Sequence, residues 1–269
     1  MYCMATIFAS DFHGTGDAYI NKIMFMFHKH PEARIVFGGD YIDGRKQSKQ
    51  VLNFVRQMQL NQNAVVLKGN HEDLMEQFML LGIDKYGWYP NGAKTTIKSF
   101  FGQGFSKKIA NYQLNQYRLY DGIPLRQWLA SLPTVFVNED ACFVHAYIDT
   151  RWKNIQQAIK NTDEMDRLWN RNLVDNYNYI CNHTKKAVVF GHTPTCFFES
   201  NRFNNSSIEI HKYQSKTNLK QSDPCPIIET HRKGDASLIA CDGGCHGGSN
   251  LNTGNVAVIQ KGKVIDWLN

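Results

Sequence analysis

The chain has 269 residues, 42% hydrophobic, 20% charged and 12% aromatic. That balance excludes a disordered or fibrous chain, and no stretch approaches the ~18 consecutive apolar residues of a membrane-spanning helix. Thirty Lys and Arg against 24 Asp and Glu give a net charge of +6, a mild excess that suits an anionic ligand without demanding nucleic acid.

Met1 to Ser10 lacks the basic opening of a signal peptide, and the seven cysteines show no repeating spacing. A reduced, cytoplasmic protein is the expectation. The first 80 residues alternate between strands and helices. Ala5–Ala9 reads as a strand ending at Ser10-Asp11, followed by a helix carrying Ile20, Ile23, Met24 and Phe27. Arg34–Phe37 is a second strand ending at Gly38-Gly39-Asp40, and Val51, Leu52, Val55 and Met58 mark the next helix. Ala64–Leu67 is a third strand running into Gly69-Asn70-His71-Glu72, and Leu74, Met75, Phe78 and Met79 mark a third helix. This is the signature of βαβ units and an α/β fold with a largely parallel sheet.

Residues 82–122 break the rhythm and are predicted to form a helical insertion or cap. A short helix at Leu125–Leu132 follows. Ala141–Val144 is a strand ending at His145, and Ala187–Phe190 is another, ending at Gly191-His192-Thr193-Pro194. Residues 200–235 read as a polar insertion with one strand at Ser207–His211. Ser237–Cys241 is a strand ending at Asp242, and Asn255–Gln260 pairs with Lys263–Trp267 as a hairpin. The whole chain, 1–269, is expected to be one domain. The aromatics Phe25, Phe27, Trp88 and Tyr89 are expected to pack rather than to stack bases.

Five strands therefore end at clusters of metal-type ligands: Asp11-Phe12-His13-Gly14, Asp40 with Asp43, Asn70-His71, His145 and His192. The mixture of carboxylate, imidazole and amide oxygen suits borderline divalent ions such as manganese, iron or zinc. Extended backbone would turn Asp11 and His13 to one side, so that they share an ion. Asp40 is the candidate bridge between two ions, and Asn70, His145 and His192 would complete the second. Two ions ~3.5–4 Å apart hold and acidify a water that then serves as the nucleophile. No Gly-x-Ser-x-Gly turn is present for a serine nucleophile. Cys241 and Cys245 stand near His246 without the second half of a zinc site. His246, like His28, His30, His183, His211 and His231, is assigned to surface or core. Glu72 is explained by its place in the first turn of a helix.

With Gly39-Asp40-Tyr41-Ile42-Asp43 between Asp-x-His-Gly and Gly-Asn-His-Glu, and Gly191-His192-Thr193 after them, the chain resembles the calcineurin-like metallophosphoesterases. It is most similar to the prokaryotic and phage branch of the phosphoprotein phosphatases, the phage lambda phosphatase type, and to the related diadenosine tetraphosphatases. The resemblance runs from about Thr6 to Asp242. It takes in Asn91–Thr95 after Trp88, Ser131-Leu132-Pro133, Phe143–Ala146 and Leu168–Arg171.

The resemblance implies a four-layer α/β/β/α sandwich and two divalent ions, manganese first. One ion would sit on Asp11, His13 and Asp40, the other on Asp40, Asn70, His145 and His192. His71 would be the general acid, oriented by Asp43, a task that suits a carboxylate-held imidazole near pH 7. Arg171 would clamp the phosphate through its planar fork, and Asn70 would bind it too. The family reads Gly-Asp-x-x-Asp-Arg-Gly where this chain has Asp43-Gly44-Arg45, so its phosphate-binding arginine stands one place later, as Arg45.

The implied function is phosphomonoester hydrolysis, with phosphoserine and phosphothreonine in proteins as first substrates. The alternatives are a dinucleoside polyphosphate such as diadenosine tetraphosphate, or a nucleic-acid end. The non-catalytic rival is a binding module that kept the fold. Expected partners are a phosphorylated protein or small phosphoester, with no membrane and no assigned oligomer.

Overall fold

The computed structural model describes residues 4–62, 64–175, 181–198, 208–214, 225–246 and 253–269. Two sheets carry the fold. The first has the order β11-β10-β1-β2-β3, with β1 at Thr6–Ala9, β2 at Arg34–Phe37, β3 at Val65–Val66, β10 at Val256–Gln260 and β11 at Lys263–Leu268. The second has the order β4-β5-β6-β9-β8-β7. Its strands are β4 at Val135–Val137, β5 at Ala141–Val144, β6 at Ala187–Phe190, β7 at Ile208–Tyr213, β8 at Ile227–Arg232 and β9 at Leu238–Ala240.

β1, β2 and β3 run parallel, as do β5, β6 and β9. The remaining strands join antiparallel at the flanks. Buried on both faces, the parallel strands read as unbroken apolar runs, which is why they were legible. Alternation decides what each side chain meets. Phe8, Val36, Ala257 and Ile259 of the first sheet face Phe143, Ala187, Val189 and Ile239 of the second, forming a layer between the sheets. Their neighbours Ile7, Ala9, Ile35 and Phe37 point outward to helices. Cys142, Val144, Val188 and Phe190 point to the opposite outer layer.

The outer helices of the first sheet are α1 at Asp17–Lys29, α2 at Ser48–Asn61 and α3 at Asn70–Leu81. Each buries one stripe: Tyr19, Ile23 and Met26 in α1, and Val51, Leu52, Val55 and Met58 in α2. Residues 82–122 hold a 3-10 turn at Tyr89–Asn91, α4 at Ala93–Phe101 and α5 at Lys107–Gln116. With α6 at Leu125–Ser131, their apolar faces join the same core through Trp88, Ile97, Phe100, Leu114 and Trp128. On the other side, α7 at Ile155–Asn161 and α9 at Asn172–Asp175 cover the second sheet through Ile155, Ala158 and Leu173, and α8 spans Glu164–Trp169 between them. The result is the α/β/β/α sandwich.

Three readings change. β4 and β8 escaped notice, β8 because it lies inside a stretch whose overall polarity masks Ile227-Ile228. Phe25 is 59% exposed and lies outside the core clusters. Asp11 and His13 are not on extended backbone, as described next. Of the 200–235 stretch, residues 200–207 and 215–224 lie outside the described residues.

Candidate active site

The carboxyl ends of the parallel strands of both sheets meet at one edge, where ligands gather in such folds. The chain leaves each strand end through unusual backbone. Asp11, His13, Asp40, Asp43 and His192 all have positive φ, at 56°, 47°, 57°, 71° and 67°. Only two other non-glycine residues do so among the described residues, Lys185 and Lys261. Asp and His visit this region more readily than most residues, yet it still costs of order 1–3 kcal/mol each. Asp11 and His13 reach the same place because both turn left-handed, with His13 N–H tied to the Asp40 carbonyl at 2.9 Å. Strand alternation has no part in it.

The two sheets are stitched here. His192 N–H, beyond β6, donates to Asp11 Oδ1, beyond β1, at 2.9 Å, while within the second sheet Gly191 N–H donates to the His145 carbonyl at 2.9 Å. A methyl group on Gly191 would collide with the Asp11 carboxylate, so only glycine lets the two strand ends approach.

The expected ligands form two groups that share Asp40. In one, the donor atoms of Asp11, His13 and Asp40 lie within 4.8 Å of one another; in the other, those of Asp40, His145 and His192 do. His145 Nε2 and His192 Nδ1 each stand 2.9 Å from Asn70 Oδ1. The other nitrogen of each ring is anchored: His145 Nδ1 on the Gly38 carbonyl at 2.8 Å, His192 Nε2 on the Trp169 carbonyl at 3.2 Å. His13 Nδ1 rests on the Ile42 carbonyl at 3.2 Å. A main-chain carbonyl requires the proton on that nitrogen, so in the neutral ring it is the opposite nitrogen whose lone pair faces the site.

Charge points the same way. Asp11, Asp40, Asp43, Glu72 and Asp242 are all at most 2% exposed, and so much buried negative charge requires cations. Asp11 Oδ2 is buried without a hydrogen-bond partner. Burial, with Asp40 nearby, lifts the Asp11 carboxyl to about 6. Burial opposes a charge on His145, but Asp40 and Asp11 overcome it and lift that ring to about 10. Burial keeps His13 well below its ordinary range and takes His192 down to about 3. Carboxylates, lone-pair imidazoles and an amide oxygen, with one orphaned oxygen among them, are a donor set that fits two borderline divalent ions.

His71 borders these groups, its ring centroid 4.8 Å from that of His13. Its Nδ1 is 2.7 Å from Asp43 Oδ2, which also accepts from Trp88 Nε1 at 2.9 Å, while Thr96 Oγ1 donates to Asp43 Oδ1 at 2.6 Å. Residues 82–122 therefore supply the walls that hold Asp43. Burial resists the His71 charge, yet Asp40 and the Asp43 bond raise its pKa to about 9. Arg171 follows α8 and donates from its guanidinium to the His192 carbonyl at 3.1 Å and to Thr193 Oγ1 at 2.5 Å, at the rim beside His192. Arg45 Nε donates to the Cys245 carbonyl at 3.1 Å.

Sequence reasoning missed three residues. Glu72 accepts from the backbone N–H of Asp40, Tyr41 and Gly69 at 2.8, 2.8 and 3.0 Å, fixing the Asp40 loop to the start of α3. Asp242 is buried beside Asp11 and held by the Gly244 N–H at 2.8 Å. His246 lies with its ring centroid 4.5 Å from that of His13 and 5.1 Å from that of His71. It stands six residues beyond the end of β9, where His145 and His192 stand one and two beyond β5 and β6, so a strand-end rule does not reach it. Cys241 faces the layer between the sheets and Cys245 the core beneath the helices, so the two do not converge.

Two facing sheets with this donor set at their shared carboxyl edge define the class as a metal-dependent hydrolase. The family model described as calcineurin-like phosphoesterase matches residues 4–196, and the chain belongs to that family, whose members are metal-dependent phosphoester hydrolases. Nothing among curated protein sequences matches. Among solved structures, a protein provisionally assigned as a diadenosine tetraphosphatase is 15% identical, with 99% of this chain and 94% of that one covered and a TM-score of 0.52. A metallophosphoesterase from Sphaerobacter thermophilus is 14% identical over 96% and 84%, with a TM-score of 0.48. A serine/threonine phosphatase from Saccharomyces cerevisiae is 16% identical over 98% and 77%, also at 0.48. No helix among the described residues is long and apolar enough to cross a membrane.

Proposed function

We propose that the chain is a phosphomonoesterase acting on alkyl phosphates, with phosphoserine and phosphothreonine in proteins as its substrates. The observation that supports this is the held imidazole of His71. An alkoxide is a poor leaving group and needs a proton as it departs, whereas an aryl oxide or a phosphate leaving from an anhydride needs it far less. A proton donor fixed through its Nδ1 by a buried carboxylate is built for the harder case. With a pKa of about 9 it is charged at neutral pH, and its Nε2 faces Asp40 across 3.9 Å.

In this reading Asp11, His13 and Asp40 hold one divalent ion, and Asp40, Asn70, His145 and His192 hold the other. The ions, manganese first with iron or zinc as alternatives, would supply Lewis-acid polarisation of phosphoryl oxygens and acidification of water. His71 gives its Nε2 proton to the leaving oxygen while Asp43 keeps the ring aligned. Arg171 binds the phosphate from the rim, where its planar fork matches two oxygens. Glu72 acts through the backbone by fixing the loop that presents Asp40. The mild positive charge fits an anionic substrate, and the whole chain works as one unit, in the cytoplasm.

The test is kcat/KM of the manganese-loaded protein on a phosphoserine peptide, an aryl phosphate and a dinucleoside polyphosphate, with His71→Asn alongside. We expect the variant to lose roughly 10²–10⁴-fold on the peptide and much less on the aryl ester. Preference for the dinucleoside polyphosphate would replace this reading with anhydride hydrolysis. A variant as active as the parent on the peptide would remove the acid.

A further inference from the structure

We infer that the groove between α3 and α8 binds a basic side chain of a phosphopeptide, an arginine above all, two or three residues from the phosphorylated one, and that Asp73 and Glu164 are the specificity residues that hold it. The inference rests on the reading of the site as a phosphoserine and phosphothreonine centre and goes beyond it, because that reading assigns no residue to the rest of the substrate.

Three features of the groove carry it. The first is its position. Asn70 opens α3, and three, four and seven residues on, along the same side of the helix, stand Asp73, Leu74 and Gln77. Together with Glu164, Met165 and Leu168 of α8 they enclose a cavity of about 740 Å³. Both walls run into the site. Asn70 touches the His145 and His192 rings, the carbonyl of Trp169 at the end of α8 holds His192 Nε2 at 3.2 Å, and Arg171 lies two residues further on. A peptide seated in the groove is therefore continuous with a phosphate between Asn70 and Arg171. The groove carboxylates of α3 lie ~5–9 Å along the helix from Asn70, a span that extended peptide covers in two or three residues at ~3.3 Å each.

The second feature is charge. Three carboxylates line the cavity, Asp73, Glu76 and Glu164, against one cation, Lys68. Lys68 Nζ is engaged with Glu76 at 2.8 Å, so two negative charges are left for an occupant. In a chain of net charge +6, beside a site suited to an anion, this wall is the wrong sign for a polyanion. The further phosphates of a dinucleoside polyphosphate would meet like charge here, whereas a guanidinium meets its complement. The third feature is the apolar remainder. Leu74, Leu168 and Met165, which is 58% exposed, offer a surface for the methylenes of an arginine while its planar fork reaches the carboxylates. In the same wall Trp169 Nε1 is buried without a hydrogen-bond partner, an unmet donor to which a peptide brings carbonyl oxygens.

The experiment measures kcat/KM of the manganese-loaded full chain on phosphoserine peptides of one length. They carry arginine or glutamine two and three residues from the phosphoserine, on its N-terminal or its C-terminal side. The readout is the arginine-to-glutamine ratio within each protein, which cancels any general loss of activity. The parent is expected to prefer arginine on one side about tenfold, the weight of one charged hydrogen bond, through KM rather than kcat and less so at high salt. Asp73→Asn and Glu164→Gln each lower the ratio, and the double variant brings it to about one. Glu164→Lys turns the preference toward a peptide with glutamate at the same positions. If Asp73→Asn is poorly folded by its thermal transition, the Glu164 variants, on the exposed first turn of α8, carry the comparison.

Equal kcat/KM of the parent on the arginine and glutamine peptides overturns the inference. So does an arginine preference that the Glu164 variants leave intact, which would put the basic subsite elsewhere. A loaded parent that leaves every phosphoserine peptide intact overturns the protein-phosphatase reading itself, and this inference with it.

Discussion

Replacing Asp43 by Asn isolates the charge behind the His71 imidazole. Asp43 is fully buried, and its two oxygens take three donors: His71 Nδ1 and Trp88 Nε1 on Oδ2, and the Thr96 hydroxyl on Oδ1. Asn fits with its oxygen kept toward His71 and Trp88 and its amide toward Thr96. The Thr96 hydroxyl then accepts, and its own proton can go to Ser48 Oγ, 3.2 Å away. Shape and hydrogen-bond number survive, so the cost to folding stays small. What is lost is the difference between a charged and a neutral bond to the ring, about 1–2 kcal/mol. At 1.36 kcal/mol per decade that is roughly a five- to thirtyfold fall in kcat on a phosphoserine peptide. The imidazolium also loses the Asp43 charge that helps raise its pKa, so the alkaline limb of the pH–kcat profile moves to lower pH. The assay is steady-state kinetics from pH 6 to 10 on the peptide and on an aryl phosphate, whose leaving group needs less protonation. Equal losses on the two esters, or an unmoved alkaline limb, would refute a proton donor held by Asp43.

Two further perturbations probe the scaffold and the metals. Glu72→Gln turns an amide toward backbone donors now received at 2.8–3.0 Å by a carboxylate; we expect about 1–3 kcal/mol of destabilisation and weaker metal uptake through Asp40, and a denaturation midpoint equal to that of the parent would contradict it. Divalent metal uptake by the chelated protein should release protons at pH 7.5, because His145 with a pKa of about 10 is protonated there and must lose that proton to ligate. By the same sign, a ring raised from 6.5 to about 10 stabilises the metal-free fold fully below pH 6.5 and loses that contribution as pH rises toward 10. Chelated protein should therefore show a Tm that falls across this window, and excess manganese should flatten the slope. Calorimetry in buffers of differing ionisation enthalpy that detects no proton release would contradict the assignment.

Much of the fold was legible because the parallel strands are buried on both sides. Arg34–Phe37, Ala141–Val144 and Ala187–Phe190 coincide with observed strands to the residue, since an apolar run bounded by Gly or Asp admits little else. β4 and β8 were not legible. Val135–Val137 is only half-buried, and Ile227–Arg232 ends in polar residues that face partners rather than water: Glu229 meets Ser237 Oγ at 2.8 Å and Tyr213 Oη at 2.8 Å. A buried polar residue satisfied by a distant strand looks like a loop until the pairing is known.

The site was legible for a different reason than the one first given. Period-two alternation is the wrong account of Asp11 and His13, whose backbone is left-handed. What the sequence preserves is chemistry at strand ends, and a strand that stops at Asp, Asn or His beside a glycine is one whose next residues can leave the pleat. Backbone strain at five of the ligating and acid-holding positions is tolerated because the surroundings over-determine it. Glu72 pins the Asp40 loop, Trp88 and Thr96 pin Asp43, and the Asp11 carboxylate pins His192. None of these tethers is local in sequence, so no window of residues could reveal them. The same holds for His246, whose partners His13 and His71 lie more than 170 residues away. A histidine beyond a strand end is a candidate only once the strand is known to lie beside β6, and that adjacency is a property of the sheet order, β6 next to β9.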